Sequence, residues 1–297
     1  MLEALSVDAA ASDALFGRPF RGRVHSVFAK TVNFTGPRGQ LHCLAAEELD
    51  DAPGTIRVRH SEGLRLDSLG IKPGDEVATF GGGLAFGAVP LVAREVRPWS
   101  ASLPAFPSVP AGRNLLAARL VVLKNEIVAA GYDGGLKAFI GGTVGTVMEN
   151  RLAERAAALI STLVDGDLSD ALAAGRRLIG LGTGLTPSGD DFLAGLMITF
   201  NMPAGPFGRR YREVAKKLAA GAETGTVSRA MLQYAARGRT RDGVVALLAA
   251  MTDPAARDIV AAVRRVLACG ATSGTDLAAG IAAGLSTGLE LAGEREE

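Results

Sequence analysis

Hydrophobic positions recur every second residue through the first third of the chain and every third or fourth residue beyond it. Residues 22–34 set Val24, Ser26, Phe28, Val32 and Phe34 on one face, and His25, Val27, Ala29 and Asn33 on the other, as in a half-buried strand. A Thr-Gly-Pro-Arg-Gly turn at 35–39 leads to a returning run at 41–44. Residues 55–59 alternate again, a Lys-Pro-Gly-Asp turn at 72–75 precedes 76–80, and Gly81, Gly82 and Gly83 form a hairpin loop before the apolar run 88–92. Short strands at this spacing predict a small, largely antiparallel sheet or a barrel. Residues 1–17 read as a short helix or a flexible segment.

Pro98, Pro104, Pro107 and Pro110 then crowd one stretch, where missing amide donors and restricted predecessors exclude helix and central strand. Past it, Leu116, Leu120, Leu123 and Ile127 form a helical stripe that Gly131 stops, and Leu152, Ala156, Leu159 and Leu163 repeat the pattern. Further helices are expected over 168–179, 189–200, 209–221, 226–236, 243–251, 254–268 and 274–291. The predicted class is α+β: a mainly β domain at 1–100, a connector at 101–111, and an all-helical domain at 112–297.

The length, 297 residues, suits two domains with proper cores, and a hydrophobic share of 48% excludes whole-chain disorder. A net charge of +1 argues against nucleic-acid backbones and anionic membranes as partners. Trp99, Tyr132, Tyr211 and Tyr234 make no spaced platform for stacking bases. Cys43 and Cys269 lie far apart, and His25, His42 and His60 are the only histidines, so a Cys/His zinc site is hard to assemble. The apolar run 192–200 is too short to span a bilayer, and the N-terminus, carrying Glu3 and Asp8 without a basic region, is not a secretory signal. The expectation is a reduced, cytoplasmic protein.

Glycine, at 38 residues, is about twice as frequent as usual and gathers in particular loops. One runs through Gly180, Gly182 and Gly184 to Thr186, Pro187, Ser188, Gly189, Asp190 and Asp191. Ser188 reads as an N-cap with Asp191 three residues on, followed by the stripe Leu193, Leu196, Met197 and Phe200. A partial copy places Ser273, Gly274, Asp276 and Gly280 where the first has Ser188, Gly189, Asp191 and Gly195. Gly280, Gly284 and Gly288 share one face, which lets two such helices pack closely with neighbouring N-termini. Thr224, Thr226 and Ser228 supply a third set of hydroxyls before an apolar helix. Helix starts expose unpaired N–H groups and partial positive charge, so a converging set suits a phosphate or carboxylate. The aspartates would repel that anion unless Mg²⁺ or a cationic side chain intervened. Taken singly, a Ser-x-x-Asp start is ordinarily only a cap. Asp190 stands where a Walker A loop needs lysine, and the glycines do not fit the dinucleotide fingerprint.

The run from Gly182 to Gly195 resembles the signature of a bacterial family, first described as a domain of unknown function, that includes the AllH-type subunit of oxamate carbamoyltransferase. His25 within Val24–Phe28 and the Thr272-Ser-Gly-Thr-Asp276 run are similar to that family as well. The resemblance implies carbamoyl transfer between oxalurate and phosphate, giving oxamate and carbamoyl phosphate, in allantoin and purine nitrogen use. It also implies a multisubunit assembly in which this chain works with companion subunits. On that reading Gly182, Gly184, Thr186, Ser188, Gly189, Thr224, Thr226, Ser228, Ser273, Gly274 and His25 bind a small anionic substrate. Asp190, Asp191 and Asp276 are the candidate catalytic groups, with Asp190 and Asp191 also candidate ligands for Mg²⁺.

Plainer readings compete. His25 also reads as a half-buried strand histidine with a satisfied hydrogen bond, the Arg237-Gly-Arg239-Thr-Arg241 run as a solvated connector, and Cys269 as a small buried residue. Two other functions are open: a Mg²⁺-dependent hydrolase using Asp190, Asp191 and Asp276, and a noncatalytic subunit that organises other chains.

Overall fold

The computed structural model describes residues 2–59, 63 and 65–294; His60 lies outside them. It divides into two compact units, residues 1–101 and 102–297.

In the first unit, β1 (Leu2–Asp8) is followed by a helix, α1 (Ala9–Phe16), so the N-terminal segment is a strand as well as a helix. Strands β2 (Arg21–Val27), β3 (Thr31–Thr35), β4 (Leu41–Ala46), β5 (Thr55–Arg59), β6 (Glu76–Phe80), β7 (Gly83–Phe86) and β8 (Val89–Val92) follow. They hydrogen-bond in the order β5-β4-β3-β2-β6-β7-β8-β1, and β1 pairing with β5 closes an eight-stranded barrel. A ninth strand, β9 (Arg97–Trp99), adds in parallel to β1. The barrel core holds Val24, Val32, Phe34, Leu44, Ile56, Val77, Leu84, Phe86 and Leu91, capped by Leu15 of α1.

Residues 22–34, expected as one strand, are two. The chain reverses at 28–30, where Phe28 N–H donates to the Thr31 carbonyl, and Val24 pairs with Phe34. No Gly, Pro or Asn marks that reversal, and the alternation resumes in phase across it, which is why the pattern reads as continuous. Gly81 and Gly82 form the β6–β7 loop with positive φ, as their spacing suggests.

In the second unit Pro110 opens α2 (Pro110–Ala130), whose stripe Leu116, Leu120, Leu123 and Ile127 is buried. A short α3 (Lys137–Gly141) follows, then α4 (Val147–Val164), begun by a capping box between Thr146 and Glu149. Next come α5 (Leu168–Arg176), α6 (Ser188–Thr199), α7 (Arg209–Ala220), α8 (Thr226–Ala235), α9 (Asp242–Thr252), α10 (Ile259–Leu267) and α11 (Ser273–Gly293). Helix α10 starts five residues later than the expected 254, because Pro254 lies within a turn closed by Ala256 N–H donating to the Asp253 carbonyl, and Asp258 is the cap that accepts from Ala261 N–H. Every residue of α6 is buried, as is α11 from Gly274 to Leu285. These two form the centre around which the other helices pack. Among the described residues no helix is long and apolar enough to cross a membrane.

Candidate functional site

The centre of the helical unit is a glycine-faced crossing. A Cβ on Gly195 of α6 would stand 2.1 Å from the Leu277 carbonyl of α11 and 2.9 Å from Ile281 N. Reciprocally, a Cβ on Gly280 would stand 2.0 Å from the Phe192 carbonyl and 3.0 Å from Leu196 N. Each contact maps onto the other when 85 is added to or subtracted from its residue numbers. The same shift relates Gly189 to Gly274: a Cβ on the first would stand 2.1 Å from the Leu178 carbonyl and one on the second 2.1 Å from the Val266 carbonyl, the partners differing by 88 because the stretches before the two starts differ in length. Gly284 continues the seam against Thr199. The partners advance together along both helices, so α6 and α11 run parallel with neighbouring first turns.

The serines at those turns do not cap their own helices. Pro187 and Thr272 occupy the cap positions without side-chain caps, and Ser188 and Ser273 are the first helical residues. Their hydroxyls turn to the opposite helix, Ser188 towards Asp276 and Ser273 towards Asp191. Thr186 Oγ1 and Ser273 Oγ, on the two approach segments, share a 2.7 Å hydrogen bond. The glycine loop is folded tightly to reach this contact: Gly182 has φ +126°, and a Cβ there would stand 2.6 Å from Ser188 N.

The three aspartates differ in surroundings. Asp190 is fully buried and accepts from Gly180 N–H at 2.8 Å, Thr224 Oγ1 at 2.5 Å and Ser228 Oγ at 2.6 Å. It ties the glycine loop to the start of α8. Asp191 is 2% exposed, and its Oδ2 has no hydrogen-bond partner. Burial drives its pKa well above the usual carboxylate range, and the charges of Asp276 and Asp190 add to that against the Ser273 and Thr186 hydroxyls. Asp276 is also buried, its pKa raised by burial against donation from Leu136 N–H, Ser188 and Thr272. Leu136 N–H reaches Asp276 Oδ1 at 2.7 Å, while Asp276 Oδ2 is unpartnered.

The loop at 131–136 is a site element that the sequence pattern does not mark. Tyr132 N–H donates to Thr275 Oγ1 at 3.0 Å, and Gly135, at φ +59°, lies so close to Asp276 that a Cβ would stand 2.1 Å from Oδ1. Its signal was Gly131, Gly134 and Gly135 in a short span, which reads only as a helix stop. Arg241 reads in the sequence as part of a connector; its Nη1 lies 2.6 Å from Cys269 Sγ, and the Cys269 carbonyl accepts from Gly274 N–H at 2.9 Å. That puts a guanidinium beside the approach to α11.

The structure therefore gathers Gly182, Thr186, Ser188, Gly189, Asp191, Ser273, Gly274 and Asp276 at one place, with Asp190, Thr224 and Ser228 as a buried brace alongside. Gly184 and Thr226 are exposed on the loop and at the start of α8. His25 belongs to the barrel unit, on β2; it is exposed rather than half-buried, its Nδ1 3.1 Å from Ser26 Oγ. Among the described residues no group of three or more His, Cys, Asp or Glu side chains is placed to hold a metal ion. The Asp190 oxygens expected to bind Mg²⁺ are taken by protein donors.

A closed barrel with one extra strand, followed by helices that bring two related starts together, defines an α+β protein organised around a paired helix start. The AllH family N-terminal domain matches residues 3–98, and the model for oxamate carbamoyltransferase subunit AllH matches residues 178–285, spanning both helix starts. The chain belongs to the AllH family, that of a carbamoyltransferase subunit. No solved structure matches it.

Proposed function

We propose that this chain is the component of a carbamoyltransferase that holds the small anionic reactants of oxalurate phosphorolysis at the paired starts of α6 and α11. The observation that carries the reading is the Thr186–Ser273 hydrogen bond, which joins two helix starts beside a buried carboxyl with a free oxygen. Loop and first-turn N–H groups with these hydroxyls suit a carboxylate or phosphate, and Arg241 puts a guanidinium beside Cys269 on the approach to α11.

In the reaction, a phosphate oxygen bonds to the carbamoyl carbon of oxalurate and the bond from that carbon to the inner nitrogen breaks. Its electron pair stays on nitrogen, which takes a proton and leaves as the amino group of oxamate. Asp191, whose burial favours the protonated form, is suited to give that proton through the Ser273 and Thr186 hydroxyls. The proton of the attacking phosphate returns by the same hydroxyls, so the carboxyl is restored. Oxyanion stabilisation falls to the N–H donors of the tips. The companion subunits that the family implies complete the assembly.

The test is carbamoyl phosphate formation from oxalurate and phosphate by the complex reconstituted with those subunits. Asp191→Asn is expected to lower kcat about a hundredfold, and Ser273→Ala with Thr186→Val to lower it comparably. Unchanged turnover in both variants would remove the site from the reaction.

A further inference from the structure

Burial leaves two acceptors idle at the paired start. Asp191 Oδ2 and Asp276 Oδ2 are enclosed and unpartnered, on side chains 2% and 0% exposed. They come from equivalent positions of two helices related by the 85-residue offset, and each carboxyl is approached by the serine of the opposite helix. A buried oxygen without a donor costs free energy until a donor arrives. A carboxylate offers none, and a hydrogen phosphate offers a single O–H to two acceptors. What fits a pair of acceptors is a group with two N–H bonds on one atom.

Resting on the reading above, we propose that Asp191 Oδ2 and Asp276 Oδ2 are the specificity determinants of the site, accepting the two N–H bonds of a primary amide –NH₂ while the helix tips hold the ligand's carboxylate. The two halves of the site then recognise opposite ends of one small ligand, donors meeting the carboxylate and acceptors meeting the amide nitrogen. The arrangement explains how an anion site tolerates two aspartates without a metal: they face the uncharged end and turn away ligands charged at both ends. The nitrogen held between the carboxyls is the one that receives the proton of Asp191 by way of the Ser273 and Thr186 hydroxyls, which leaves Oδ2 as an acceptor. Thr186, on the loop at 182–186, is hydrogen-bonded across to Ser273 at the start of α11.

Three ligands of nearly one shape separate the possibilities: oxamate, with –NH₂; pyruvate, with –CH₃ in its place; and oxalate, with –O⁻. Calorimetric titration of each into the full chain, alone and reconstituted with its companion subunits, reads the ranking. The expected order is oxamate, then pyruvate at least about tenfold weaker, then oxalate weaker still. Asp276→Asn, which presents a donor in place of one acceptor, is expected to bring oxamate within about threefold of pyruvate without weakening pyruvate. Equal binding of oxamate and pyruvate by the unaltered protein overturns the amide recognition and leaves the anion site standing. Binding of none of the three, by chain or by complex, overturns the anion site itself. Tighter oxalate than oxamate also overturns the amide recognition. The comparison on the unaltered protein decides the matter even if Asp276→Asn does not fold.

Discussion

One peptide bond separates Asp190 from Asp191, and the helix turns their side chains about 100° apart. That rotation assigns them different work. Asp190 faces Gly180, Thr224 and Ser228 and is saturated with donors; removing it strands buried hydroxyls and an amide. Asp190→Ala is expected to cost about 3 kcal/mol of stability in urea denaturation, with Asp190→Asn, which keeps one acceptor, costing less. Asp191 faces α11, and its raised pKa gives a pH-dependent signature. The folded state holds the proton more tightly than the unfolded chain. The stability this confers is complete below the ordinary carboxylate range and is lost as pH rises through the elevated value. Asp276 adds to the same slope through its own burial. Melting temperature is therefore expected to fall across that window in the unaltered protein and to fall less in Asp191→Asn, measured by calorimetry from pH 4 upward. Residue types and spacing marked both aspartates as important. They could not tell brace from proton donor, because direction around a helix start depends on whether the helix begins at 188 or 189. The same one-residue difference released Ser188 and Ser273 from capping.

At the scale of the element, the crossing of α6 and α11 rests on missing side chains. Gly195→Ala or Gly280→Ala would drive a Cβ to about van der Waals half-distance from a backbone carbonyl, which no rotamer relieves. Each is expected to cost about 3 kcal/mol or more by forcing the helices apart. Gly293→Ala, where nothing lies within 4 Å, is expected to be neutral or mildly stabilising. Thermal melts of the three variants check the contrast. This crossing was legible beforehand because glycine recurs every fourth residue in α11 and the two starts share a motif. The loop at 131–136 and α3 were not, since a five-residue helix has too few positions for a period and clustered glycines signal only that a helix ends. What the loop contributes, a backbone N–H delivered to Asp276 from 140 residues away, is tertiary and leaves no local pattern.

Across the whole molecule, the apolar residues sort into two cores, one drawn from the barrel and one from the helices, neither including a residue of the other unit. The closure of the barrel by β1 was not readable from the sequence, since the strand comes from a segment expected to be helical or flexible. Every group of the paired start lies within 102–297, so that stretch is expected to fold alone into a helical unit with a cooperative melt, followed by far-ultraviolet circular dichroism. The consequence for binding is sharper. A ligand at a hundredfold excess over Kd stabilises its site by about 2.7 kcal/mol, or roughly 5–10 °C for a unit of this size. If the tips, the loop at 131–136 and Arg241 are sufficient, oxamate raises the melting temperature of the isolated helical unit as much as it raises the corresponding transition of the full chain. A shift present in the full chain and absent from the isolated unit would show that these groups are not sufficient.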